Sequence, residues 1–209
     1  MLDPCRIRIL TVDDHPLFRE GIASVIESQA DMLLVAEADT ASKATQLYTQ
    51  HQPDVTLMDL RLPDVSGIDA MIAITAEFPK ARIVILSTFN GDFEIQRALR
   101  AGASGVLFKT DPPQEMIAVI RQVHAGKKSV PPAAAARLAE HLGDEQLTSR
   151  EVEVLSHVAG GNRNRDIGQR LFISEDTVKR HLSQTMQKLG ASDRTEAITI
   201  ASRRGIIQL

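Results

Sequence analysis

The sequence predicts a doubly wound α/β domain built on a five-stranded parallel sheet, followed by a small all-α domain. Three observations carry this. Five short apolar runs alternate with helical patterns over residues 1–126, and five βα units in a row imply a parallel sheet with helices on both faces. The remaining chain reads as a series of capped helices. The charge also changes sign: residues 1–126 hold 17 acids and 11 bases, a net −6, whereas residues 127–209 hold 10 acids and 13 bases, a net +3.

The elements follow in order. Ile7, Ile9, Leu10 and Val12 form the first strand, which ends at Asp13-Asp14. Phe18, Ile22, Val25 and Ile26 then recur at helix spacing. Met32–Ala36 is the second strand, and Ala41–Gln50 a helix stopped before Pro53. Val55–Met58 is the third strand and ends in Asp59, and a loop from Arg61 to Gly67 leads to a helix through Met71, Ile72 and Ile74. Arg82–Leu86 is the fourth strand, ending at Ser87-Thr88, with a helix over about Phe93–Ala101. Gly105–Phe108 is the fifth, ending at Lys109, and Pro112-Pro113 opens a helix over Glu115–His124.

Composition narrows the function classes. The 209 residues are 43% hydrophobic and 24% charged, ordinary for a globular protein. Six Phe, one Tyr and no Trp leave little for stacking on nucleic-acid bases or sugars. The lone cysteine, Cys5, excludes an intrachain disulfide framework and a Cys-based zinc finger, and nothing around it gives it a redox role. No apolar run reaches the length of a membrane span, and the first residues do not read as a secretory signal. The expected location is cytoplasmic, with no membrane partner. No Gly-rich dinucleotide fingerprint follows the first strand, and no P-loop is present.

In open α/β sheets, polar sites gather beyond the carboxyl ends of the strands. Asp13, Asp14, Asp59, Ser87, Thr88 and Lys109 all fall at such ends. A single aspartate there commonly just caps the next helix. Here four strand ends agree. Clustered carboxylates repel unless a cation is present, and oxygen-only ligands suit Mg²⁺. A metal, one lysine and one hydroxyl can neutralise a phosphoryl group carried on a carboxylate. The set therefore reads as an aspartyl-phosphate site.

Three segments also resemble a known family. Val12-Asp-Asp-His-Pro-Leu-Phe-Arg-Glu-Gly21, Met58-Asp-Leu-Arg-Leu-Pro-Asp-Val-Ser-Gly67 and Gly102-Ala-Ser-Gly-Val-Leu-Phe-Lys109 look like two-component receiver domains of the NarL/FixJ branch. The resemblance implies a flavodoxin-like fold and Asp59 as phosphoacceptor. It implies Asp13 and Asp14 as metal-binding acids, with Asp59 and the carbonyl of Arg61 completing the Mg²⁺ ligands. Lys109 would pair with the phosphate and Ser87 would move toward it. Where receivers commonly carry a switching aromatic, this chain has Val106, and Phe108 is out of register to replace it.

Residues 127–145 read as a linker with a short helix: Pro131-Pro132 interrupts and an alanine run restarts. Thr148 and Glu151 form a capping box for a helix ended by Gly160-Gly161. A short helix over Arg165–Leu171 follows, and Ser174 caps a third with Val178, Leu182, Met186 and Leu189 on one face. Its polar face is assigned Lys179, Arg180, Ser183, Gln187 and Lys188. Arg194–Arg203 forms a fourth, which offers Ala197, Ile198 and Ala201 for a close symmetric contact between two copies.

Two short helices joined by a tight turn, the second with a basic face, fit a helix-turn-helix. Leu147-Thr-Ser-Arg-Glu151, Gly161–Ile167, Ile173–Lys179, His181 and Lys188-Leu-Gly190 look like the LuxR-type DNA-binding domain. That resemblance implies Lys179, Arg180 and Ser183 at base edges and Asn164, Arg165 and Thr177 near phosphates. Gly168 stands where the family usually has Ala, which weakens the second helix, and Asp166 replaces the usual Glu. His15 and His181 share no metal-ligand spacing and read as structural.

The expected organisation is a receiver over 1–126, a linker over 127–145 and a helix-turn-helix domain over 146–209. The expected function is a phosphorylation-regulated, DNA-binding transcription regulator and not an enzyme. Its partners would be a sensor histidine kinase, double-stranded DNA, a second copy on activation and RNA polymerase. A phosphatase using Asp59 would commonly need an aspartate two residues on, where Arg61 stands. The runner-up is a DNA-binding regulator whose receiver is a phosphate-independent interaction module, a reading that expects loss of the acid–acid–lysine set.

Overall fold

The computed structural model describes residues 6–88, 92–130, 132, 135 and 147–207. Cys5 and most of the expected linker lie outside them. The chain divides into two compact units.

The first unit is a five-stranded parallel sheet: β1 (Ile7–Val12), β2 (Met32–Ala38), β3 (Val55–Asp59), β4 (Ile83–Ser87) and β5 (Gly105–Phe108), in the order β2-β1-β3-β4-β5. Five helices alternate with them: α1 (Pro16–Glu27), α2 (Ala41–His51), α3 (Gly67–Glu77), α4 (Asp92–Arg100) and α5 (Pro113–His124). Because strand side chains alternate, each face gets its own core. Ile7, Ile9, Leu57, Val84 and Leu107 pack with Ile22 and Ile26 of α1 and Val119, Ile120 and Val123 of α5. Leu10, Val12, Met58, Ile83 and Ile85 pack with Ala44 and Tyr48 of α2, Met71 and Ile74 of α3 and Ala98 of α4. Every residue of β3, β4 and β5 is buried, which explains why they read as continuous apolar runs.

The helix starts have local causes. Thr40 caps α2 through the Lys43 N–H. Asp64, in the loop after β3, also accepts from the Ala41 and Ser42 N–H groups and the Ser42 hydroxyl. Those backbone bonds at a positive helix end hold its carboxyl far below the usual carboxylate range. Pro sits in the first turn of α1 and of α5, where a missing N–H costs nothing. β2 runs two residues past the expected Ala36.

The linker expected from residue 127 begins as part of the sheet. Ser129 pairs with Gly105 on the outer edge of β5, with its N–H on the Ser104 carbonyl and its carbonyl receiving the Val106 N–H.

Over residues 147–207 the second unit shows the helices α6 (Ser149–Ala159), α7 (Asn164–Leu171), α8 (Glu175–Leu189) and α9 (Arg194–Arg203). The Thr148–Glu151 capping box is present, and Ser174 caps α8 through the Thr177 N–H. Val154, Leu155, Val158, Ile167, Val178 and Leu182 share one core with Ala197 and Ala201.

One expectation is corrected here. Ala197 and Ala201 are 1% and 0% exposed, so they serve the unit's own core and cannot form a symmetric contact between copies. Gly168, expected to weaken α7, also has a packing role. A Cβ there would stand 2.7 Å from the Ile173 carbonyl, whereas the Ile173 N–H bonds the Gly168 carbonyl at 2.9 Å. The glycine lets the α7–α8 turn fold tightly against the helix. Phe172 closes α7 at φ 55°, a left-handed position that an aromatic rarely takes.

Candidate functional site

The carboxyl edge of the sheet brings Asp13, Asp14 and Asp59 together, and His15 joins them. One ligand atom from each lies within 4.8 Å of the others. Asp13 is fully buried and Asp59 is 3% exposed, while Asp14 and His15 face solvent. Lys109 Nζ reaches into the pocket, 2.7 Å from Asp13 Oδ2 and 2.8 Å from Asp59 Oδ2.

Backbone geometry fixes Asp59. Gly67, the first residue of α3, abuts the Asp59 carbonyl so closely that a Cβ would overlap its oxygen. The Arg61 N–H bonds the Asp59 carboxylate, and Arg61 pairs with Ser66 across the loop. Burial raises the Asp59 carboxyl above its ordinary value, and the bond from Lys109 offsets only part of this. Burial alone would lower the Lys109 ammonium, but its bonds to Asp13 and Asp59 win and hold it above the ordinary value.

Ser87 ends β4 buried, with its carbonyl accepting the Lys109 N–H, and Thr88 beyond it is exposed. Val106 is fully buried and registers with Ile85, while Phe108 registers with Ser87. An all-oxygen donor set from three carboxylates fits a hard divalent cation such as Mg²⁺.

Three contacts are not foreseen from sequence. Phe18, legible only as a core position of α1, places its ring 4.9 Å from Lys109 Nζ. Arg19 Nη1 donates to the Asp13 carbonyl at 2.6 Å. His15, expected to be structural, stands with Nδ1 2.7 Å from Asp14 and its N–H on Asp13 Oδ1. The usable signal for all three is their place just past the first strand end.

In the second unit α8 is the expected recognition helix. Arg180 and Ser183 are exposed, and Lys179 pairs with Glu175 at 3.1 Å and Asp176 at 3.4 Å. Thr177 bonds Ser174 at 2.8 Å as part of the cap. Arg165, in the first turn of α7, is exposed and Asn164 half-buried. Lys188 departs from its assignment to the polar face. At about 100° per residue it lies about half a turn round the helix from Lys179. Its Nζ meets the buried Glu151 Oε2 at 2.8 Å.

Fold and pocket together define a regulator with a receiver and a helix-turn-helix unit. The chain belongs to the bacterial response regulators: the response regulator receiver domain matches residues 9–121, and the luxR family of bacterial regulatory proteins matches residues 145–201. It is 41% identical to the uncharacterized transcriptional regulatory protein YxjL of Bacillus subtilis, over 97% of this chain and 98% of that protein. It is 35% identical to the transcriptional regulatory protein LiaR of the same organism, over 96% and 99%. Among solved structures it is similar to the response regulator ChrA of a heme-sensing two-component system. That match has 34% identity and a TM-score of 0.58, covering 97% of this chain and all of that one. RcsB of Salmonella, 24% identical with a TM-score of 0.70, shares the fold. No helix among the described residues is long and apolar enough to cross a membrane.

Proposed function

We propose that this response regulator is switched by phosphorylation of Asp59 and controls transcription from double-stranded DNA. An Asp59 carboxylate oxygen attacks phosphorus. The bond from phosphorus to the donor, a phosphohistidine of a sensor kinase or a small acyl phosphate, breaks, and its electron pair leaves with the donor. Asp13, Asp14, Asp59 and the Arg61 carbonyl would hold Mg²⁺, which supplies charge neutralisation for the phosphoryl oxygens. Lys109 is already within reach of the acceptor, and Ser87 ends the neighbouring strand. The observation that carries the reading is the buried Asp59 carboxylate 2.8 Å from Lys109 Nζ, beside two further acids.

The receiver spans 1–126 and is extended by the Ser129 strap on its sheet, the rest of 127–145 is the linker, and the DNA-binding domain spans 146–209. The protein works in the cytoplasm as a regulator, dimerises on activation, and meets DNA through Lys179, Arg180 and Ser183 at bases and Asn164, Arg165 and Thr177 at phosphates. RNA polymerase is the further partner of a transcription activator. The similarity to transcriptional regulatory proteins over nearly the whole chain supports this.

The test is labelling with an acyl phosphate and Mg²⁺, followed by sizing and DNA titration. Wild type should label and change its association state, and Asp59→Asn should not label. Normal labelling of Asp59→Asn overturns the acceptor. A wild type that labels without any change in association or DNA affinity supports the phosphate-independent module instead.

A further inference from the structure

We propose that Glu151 and Lys188 form a positioning pair for the recognition helix, setting which base pairs α8 reads without touching DNA. This rests on the DNA-binding reading above.

Glu151 sits in the first turn of α6 and is 2% exposed. Its Oε2 accepts the Thr148 N–H at 2.6 Å and Lys188 Nζ at 2.8 Å. The Thr148 hydroxyl accepts the Glu151 N–H in return. The carboxylate is thus fixed to the start of α6 by the cap itself, and Lys188 docks on a pre-set anchor. Lys188 lies in the last turn of α8, its side chain 18% exposed.

The apolar contacts of α8, Val178 and Leu182, set how deep the helix sits but are non-directional. They tolerate small rotations about the helix axis. A buried charged hydrogen bond does not. Lys179 stands about half a turn round the helix from Lys188. Lys179 and Lys188 flank the buried face of α8 on opposite sides, so fixing Lys188 fixes the angle at which Lys179 and Arg180 are presented. The helix turns as one body, so a small turn at the clamp also turns the reading side chains.

The experiment uses the full chain and fluorescence anisotropy on two duplexes: one selected by the wild type from a random pool, and its scrambled version. Lys188→Met keeps the stem and removes the charge. It should weaken binding to the selected duplex at least about fivefold, with scrambled binding and the salt slope little changed. Glu151→Gln should do the same, the double variant should be no worse than either, and Lys188→Arg should recover most of the loss. If Lys188→Met melts below the assay temperature, Glu151→Asp, which keeps charge and shortens reach, takes its place.

Equal losses on both duplexes with a salt slope smaller by about one would make Lys188 a phosphate contact and overturn the proposal. So would no loss at all. A wild type that prefers no duplex would instead defeat the DNA-binding reading. The clamp would then stand or fall on amide hydrogen exchange, which should speed at least about tenfold over residues 186–190 in Lys188→Met if the clamp holds that end. Unchanged exchange overturns it.

Discussion

The carbonyl oxygen of Ser129 stands 2.9 Å from the point that a Cβ on Gly105 would occupy. The two residues bridge in parallel at the outer edge of β5, and flanking backbone bonds at 2.9 and 3.0 Å hold the strap in place. The strap covers an edge that would otherwise offer unpaired backbone groups. Alanine in a strand is normally better than glycine by about 0.5–1 kcal/mol. Here the methyl meets backbone that cannot rotate aside. Gly105→Ala should therefore destabilise the receiver by about 1–2 kcal/mol, read as a lower urea midpoint. A higher midpoint would mean that the strap yields freely.

Val106 is fully buried, and its N–H is bound to Ser129. Restoring the family's usual aromatic must then overpack the site. Val106→Tyr should lose about 1–3 kcal/mol of stability yet still label at Asp59, because β3 and its aspartate are untouched. If the variant is as stable as wild type and its phosphorylated form shifts in association state, the ring has found room and a relay operates.

Lys109 is 8% exposed at its side chain, and the Phe18 ring faces its ammonium at 4.9 Å. Desolvated cation–π contacts reach about 2 kcal/mol. Urea titrations of Phe18→Leu, Lys109→Met and the double variant should give a coupling of about 1 kcal/mol or more. Strict additivity would reduce the ring to packing.

Glu151 gives the second unit an acid sensitivity. Burial pushes its carboxyl up, but the bonds from Lys188 and Thr148 outweigh this and place it below the ordinary 4.5. A depressed carboxylate contributes stability that is complete above the unfolded value and lost as pH falls through the folded one. Melting temperature should thus begin to drop as pH falls below about 4.5 and continue downward, with a shallower drop in Glu151→Gln. Parallel profiles for the two proteins would remove Glu151 as the source.

The five strands, the capping box and the acidic edge are legible because each is a local pattern: an apolar run, an S/T-x-x-E spacing, or a carboxylate at a strand end. What was not legible depends on packing between distant segments. The Glu151–Lys188 pair joins residues 37 positions apart, and helix spacing puts Lys188 at the edge of the core face, about 90° from its centre, where spacing alone does not decide between solvent and a buried partner. Ala197 and Ala201 invite a contact between copies because small residues suit any close approach; only the core around them decides which one. Ser129 gives no signal at all, since a single residue bridging an edge has no period.

The reading residues of α8 remain the sharpest test of function. Lys179 is engaged by Glu175 and Asp176, but exposed ion pairs are weak and give way readily to DNA. Arg180 is exposed beside it, just past the acidic first turn. Arg180→Ala should cost about 1–3 kcal/mol on a selected duplex and relax preference at one base pair. Arg165 lies exposed at the start of α7 and is proposed to meet phosphate rather than bases. Arg165→Ala should weaken all duplexes alike and reduce the salt slope by about one. Anisotropy titrations across salt on selected and scrambled duplexes separate the two behaviours. Should both substitutions lower selected and scrambled binding equally, α8 is an electrostatic surface and not a reader of sequence.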